Sequence, residues 1–209
     1  ILQSINVAQA NLTLRKLSRE ELWARYSAIR NYYYGEDRPV GGQLLSSWTV
    51  NSPNPLNQVV QIPVDITNKV QNSGTYVMTL KGKDMPLQDQ TFVISKTSLL
   101  FKIGADQALV WATDIKTGLP VPNMNIDIQD NVNHTILAGV TDQNGLFMQN
   151  WPADIRTSLQ NYNNLDLLVF ATKDGDFAVT GNGSIWSQGI EPWQFNISPG
   201  YVESMRTYT

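Results

Sequence analysis

Hydrophobic and polar positions change period along the chain. Leu12 and Leu14 alternate with Asn11, Thr13 and Arg15, which suits a half-buried strand over 11–15. The spacing then lengthens. Leu22, Tyr26, Ile29 and Tyr33 recur at helical intervals and form one apolar stripe. Ser18 and Glu21 stand at capping-box spacing, and Leu17 and Leu22 flank them as a hydrophobic staple. Gly35 and Pro39 close the pattern, so one helix is expected over 18–33.

After that helix the period returns to two. Val60, Ile62 and Val64 alternate with Gln61 and Pro63, and Pro63 marks an edge or a bulge. Tyr76, Met78 and Leu80 alternate with Val77 and Thr79 behind Gly74, and 91–95 is a further β-type stretch. Turn clusters at 51–55, 72–74 and 81–84 separate these runs. The second half offers short strands at 99–103, 108–113, 125–129, 135–140, 145–149, 165–172 and 177–180. Turn signals fall between them at intervals typical of a β-sandwich. No helix-length pattern separates them, which argues against a parallel α/β sheet.

The expected fold class is therefore all-β: two antiparallel β-sandwich domains of immunoglobulin or fibronectin type, with one short helix in the first. The boundaries expected are 1–95 and 96–198, with 199–209 a linker to a further domain. In the strand at 108–113, alternation puts Leu109 and Trp111 on one face and Val110 and Ala112 on the other. The Trp111 face is expected to be the core, because burying an indole removes a large apolar area from water.

Composition narrows the function. Charged residues make up 16% of the 209, and the net charge is −3. There is no basic excess to neutralise phosphates, so nucleic acid is not an expected partner. No apolar run approaches the roughly 20 residues of a membrane helix, and no membrane insertion by this chain is expected. Cysteine is absent, which removes disulfides, thiolate nucleophiles and cysteine-ligated metals. A Ser-His-Asp triad would depend on the single histidine, His134. No catalytic residue, cofactor or metal site is expected, and the chain is not read as an enzyme. It begins at Ile1 with no Met start, so it is expected to be excised from something longer.

His134 lies in an expected hairpin tip without partner motifs, so it reads as a solvated loop histidine. Asp127, Asp130 and Asp142 do not have EF-hand spacing and read as strand-end and turn acids. Asp166, Asp174 and Asp176 are scattered and make no arguable acid–base pair. The six tryptophans raise carbohydrate stacking, yet Trp151, Trp186 and Trp193 are better suited to anchoring loops. The stretch 181–184 lacks the strand and helix of a phosphate cradle and is expected to be a loop. Four Asn-x-Ser/Thr triplets, starting at Asn11, Asn133, Asn182 and Asn196, suit chance in an Asn-rich chain.

One stretch carries a resemblance. Ala108-Leu109-Val110-Trp111-Ala112-Thr113-Asp114 leads to Thr117-Gly118-Leu119-Pro120-Val121-Pro122, then to Asn125-Ile126-Asp127-Ile128 and Val140-Thr141-Asp142-Gln143-Asn144-Gly145-Leu146. A strand enters a Thr-Gly-x-Pro-Val turn, and a later strand ends in a Thr-Asp-x-x-Gly turn. This resembles the macroglobulin-like domains of bacterial alpha-2-macroglobulins. Leu17-Ser18-Arg19-Glu20-Glu21-Leu22 and Gly74-Thr75-Tyr76 resemble that family's helix and closing strand. The resemblance implies a large trap: a protease cuts a bait segment, and the molecule rearranges around it. It implies scaffold for these residues, not chemistry, and without Cys the chain holds no thioester. Trp111, Gly118, Pro120, Thr141, Asp142 and Gly145 are the structural residues of the second sandwich on this reading. Implied partners are neighbouring macroglobulin-like domains of the same chain and, for the whole protein, target proteases. The implied location is the periplasm or cell envelope. An Ig-like module of a bacterial surface adhesin and an accessory carbohydrate-binding module remain the alternatives.

Overall fold

The computed structural model describes residues 2–31, 41–53, 57–83, 87–130, 132–160 and 166–182. Their strands form four antiparallel sheets. The first half contributes β1 (Leu2–Ser4), β2 (Gln9–Leu17), α1 (Arg19–Asn31), β3 (Gln43–Asn51), β4 (Val60–Ile62), β5 (Gly74–Gly82) and β6 (Gln88–Ile94). The second half contributes β7 (Thr97–Ile103), β8 (Gln107–Asp114), β9 (Asn125–Gln129), β10 (Thr135–Val140), β11 (Leu146–Asn150), α2 (Ala153–Gln160), β12 (Leu168–Lys173) and β13 (Asp176–Gly181).

In the first half, β3-β2-β5-β6 make one sheet, and β1 pairs β4 in a small second one. Register puts Leu12 opposite Trp48 and Leu80, on the face that also carries Leu14 and Met78. Lys69 stands over the Trp48 ring at 4.7 Å, so the 57–73 connection lies across this face. β4 ends before Pro63, whose missing N–H cannot continue a ladder. The opposite face, with Leu17 and Val77, receives α1.

Helix α1 starts where its capping box directs. Ser18 Oγ accepts from the Glu21 amide at 3.1 Å, and the Ser18 amide donates to Glu21 Oε2 at 2.8 Å. Hydrogen bonding by the Ser18 amide holds the Glu21 carboxyl below the usual range. Glu21 Oε1 also accepts from the Gly42 amide at 2.6 Å, tying the entry to β3 onto the helix. Leu22 and Tyr26 are buried, as the stripe requires. The Ile29 side chain and Tyr33 lie outside the described residues.

The second half is a sandwich of β11-β8-β7 against β10-β9-β12-β13. Its core gathers Leu99, Val110, Ala112, Ile126, Phe147, Val169 and Ala171. Two expectations need correction. The core face of β8 is Ala108, Val110 and Ala112, each 0% exposed, while Trp111 is 41% exposed. Side chains alternate along β8, with the indole on the outward face. The facing sheet brings Ile126, Ile128, Val169 and Ala171 to the core, and small residues on β8 leave room for them. The second correction is α2, a helix in the second half that periodicity did not reveal. It covers one end of the core through Ile155 and Leu159, only a short apolar signal.

Candidate functional site

No group of three or more His, Cys, Asp or Glu able to hold a metal occurs among the described residues. Asp127, Asp130 and Asp142 are each occupied by protein donors. Asp130 accepts from the Val132 and His134 amides, closing the β9–β10 hairpin. Asp142 accepts from the Asn144 and Leu146 amides at 2.8 Å. Asp127 accepts from Arg19, Gln129 and Thr135. His134 is exposed, and its nearest acid oxygen, on Asp130, is 3.6 Å away.

The organised chemistry lies instead where the two halves meet. β12 belongs to an uninterrupted apolar run, and Leu167, Leu168, Val169, Phe170 and Ala171 are each 0% exposed. Leu167, Val169 and Ala171 point into the sandwich core. Leu168 and Phe170 point the other way and join a second cluster with Leu17, Leu22, Trp23, Tyr26 and Val77. Phe177 and Val179 on β13 flank that cluster. β12 is thus a wall shared by two cores, and α1 is a wedge between it and the first sheet. Trp23 meets Tyr26 edge to face at 5.4 Å. Polar contacts surround the apolar wedge. Arg25, 6% exposed, pairs with Asp89 and donates to Thr91, fastening α1 to β6. Arg19 donates to Asp127 at 2.9 Å and lies 4.8 Å over the Phe170 ring, fastening the helix start to β9 and β12.

Asp176 is the hub of the junction. It accepts from Ser73 at 2.5 Å, from the Lys96 amide at 3.0 Å and from Thr97 at 2.8 Å, with Ser95 at 3.4 Å. Burial pushes its carboxyl up, but these donors and the Phe177 amide outweigh burial and hold it below the usual aspartate range. The sequence placed Asp176 among scattered acids. Its partners lie 79 to 103 residues away, so no local signal could have shown it. A cleft of about 480 Å³ runs along the seam past Lys16, Arg19, Thr75, Lys173 and Asp176. Arg19 and Asp176 are committed to the contacts above, and Lys173 donates to the Pro122 carbonyl. These three groups close the seam rather than converge on the space of the cleft.

Five of the six residues expected to be structural gather at one end of the second sandwich. Pro120 bridges Thr113. The Gly145 carbonyl accepts from the Ala112 amide, and the Val121 amide donates to the Ala112 carbonyl. Thr141, 1% exposed, donates from Oγ1 to the Val121 carbonyl at 2.7 Å and accepts from the Met124 amide. Asp142 closes the β10–β11 turn, and Gly118 turns the β8–β9 connection at φ 69°. Trp111, the sixth, lies on the outer face, its indole N–H donating to the Asn144 carbonyl at 3.1 Å. Exposure is what a sugar platform would need, but the cross-strand neighbours of Trp111 are Leu100 and Leu146. Trp186, Trp193, Asn196 and the stretch from 183 onward lie outside the described residues.

Residues 94–200 match the family model for the bacterial alpha-2-macroglobulin MG3 domain. No curated protein sequence matches the chain. Among solved structures, the chain is similar to native alpha-2-macroglobulin from Escherichia coli in a crystal structure spanning domains NIE-MG1. The TM-score is 0.64 at 14% identity, covering 86% of each chain. A second crystal structure, spanning domains MG0-NIE-MG1, gives 0.64 at 14% identity over 87% of this chain and 57% of that one. The cryo-EM native conformation of the Escherichia coli protein gives 0.55 at 13% identity, over 86% of this chain and 11% of that one. The chain therefore spans about a tenth of that protein's length. At these identities the likeness is one of fold: mostly β and antiparallel, with two short helices among the described residues.

Proposed function

Because the chain belongs to the bacterial alpha-2-macroglobulin family, we propose that it is a rigid scaffold segment of a protease trap in the periplasm or cell envelope. The observation that carries this reading is β12, buried on both faces and shared between two cores. A wall of that kind fixes one half against the other and carries load without chemistry. Division into two domains near 95 accords with β6 ending at Ile94 and β7 starting at Thr97 in another sheet. The family match, beginning at 94, supports the same division. No described helix is long and apolar enough to cross a membrane. One similar structure is of trypsin-activated alpha-2-macroglobulin from Escherichia coli, which makes trypsin the natural probe.

The test uses the complete polypeptide that carries this chain. After incubation with trypsin, digestion of a large protein substrate should fall while cleavage of a small chromogenic peptide persists, since a cage excludes only what cannot enter. Equal loss of both activities, or of neither, would contradict the trap. The 209-residue chain at equimolar ratio should leave trypsin and elastase unchanged.

A further inference from the structure

The second sandwich has two outer faces, and each carries apolar residues in register. Water-facing sheet surfaces ordinarily alternate to polar residues, so apolar rows on an outer face mark a surface meant to be covered. On the outer face of the four-stranded sheet, Leu168 and Phe170 are covered by α1. On the outer face of the three-stranded sheet nothing described lies over the equivalent rows. Register there aligns Leu100, Trp111 and Leu146 in one row and Lys102, Leu109 and Met148 in the next. Trp111 is 41% and Met148 60% exposed.

From this we infer that the outer face of β7-β8-β11 is a docking surface for a further domain of the same polypeptide. The inference rests on the scaffold reading above. Three observations favour that occupant. The opposite face is already covered in cis by the preceding half of the chain, so this module uses apolar outer faces for contacts along its own polypeptide. The chain spans about a tenth of the Escherichia coli protein that it resembles, so the trap reading supplies further domains. The composition fits a permanent seat: a large aromatic, methionine and leucines at the centre, with Lys102 the one charge in the two rows. The bond from the Trp111 indole to the Asn144 carbonyl holds the ring in one orientation, so a partner meets a pre-set anchor. Lys102 asks for a carboxylate at the partner's rim.

Hydroxyl-radical footprinting tests this on the 209-residue chain and on the complete polypeptide. Met148 and Trp111 should oxidise readily in the first. In the second, Met148 should be protected about fivefold, the change expected when a residue now 60% exposed enters an interface core. Met148→Lys in the complete polypeptide should bring Trp111 oxidation back near its rate in the short chain. Unchanged rates between the two proteins would overturn the inference. Protection that appears in the short chain as its concentration rises would point to a second copy and overturn it equally. The footprint needs no protease, so it stands or falls apart from the trapping assay.

Discussion

Asp176 on β13 accepts the Ser73 hydroxyl at 2.5 Å, joining the two halves of the chain across 103 residues of sequence. The same carboxylate takes the Lys96 amide from the connection between them and the Thr97 hydroxyl at the start of β7. Replacing it with Asn keeps the size but removes the charge that these donors favour. The native carboxyl is held below its ordinary value, so its contribution is full above about pH 4, where the unfolded group is also ionised. That contribution is lost as pH falls through the lowered native value. Thermal melts should show Asp176→Asn less stable than the parent at pH 7. The gap should narrow as the medium becomes acidic, and an unchanging gap would remove the charge from the account.

Two arginines on α1 should behave differently. Arg25 is buried with Asp89, so Asp89→Asn removes the charge opposite a buried cation and should cost about 3–5 kcal/mol in denaturant unfolding. Arg19 is 36% exposed in its pair with Asp127, and breaking it should cost about 0.5–1 kcal/mol. Similar costs for both would mean that burial does not set their weight.

Gly118 and Gly145 share left-handed backbone, at φ 69° and 72°. A Cβ on Gly118 would meet nothing within 4 Å, whereas one on Gly145 would sit 2.4 Å from the Ala112 carbonyl oxygen. Gly118→Ala should cost about 1–2 kcal/mol, the left-handed penalty alone. Gly145→Ala should cost clearly more, because the backbone of β8 must also move. Equal melting temperatures for the two variants would argue against the close approach.

Trp111→Ala should lower stability by about 1 kcal/mol or less, as expected for a residue on an outer face. Phe170→Ala should cost about 3–5 kcal/mol, because it opens a void in the shared cluster. Urea titrations of the two variants check the assignment of faces, and a larger loss from Trp111 would return the indole to the core.

Local chemistry was legible in the sequence. The capping box of Ser18 and Glu21, the ends of β9 and β10, and the turns at Gly118 and Gly145 follow from short-range pattern. What was not legible depends on residues far apart. Trp111 and Val110 alternate whichever face is inward, and only the facing sheet decides. Asp176 and Arg19 acquire partners only when β13 and β9 meet the first half. The run from Leu167 to Ala171 carried a signal of burial on both faces, but it did not say that α1 was the second cover. β3 was missed because its exposed edge position mixes Leu44 and Leu45 with Ser46 and Ser47.

Hydrogen exchange of Phe170→Ala against the parent tests the shared wall most directly. If β12 joins both halves into one body, the mutation should speed exchange in α1 and in β5 as well as in β8 and β9. Acceleration confined to the second half, with α1 exchanging as in the parent, would show that the halves fold independently and would contradict the rigid scaffold.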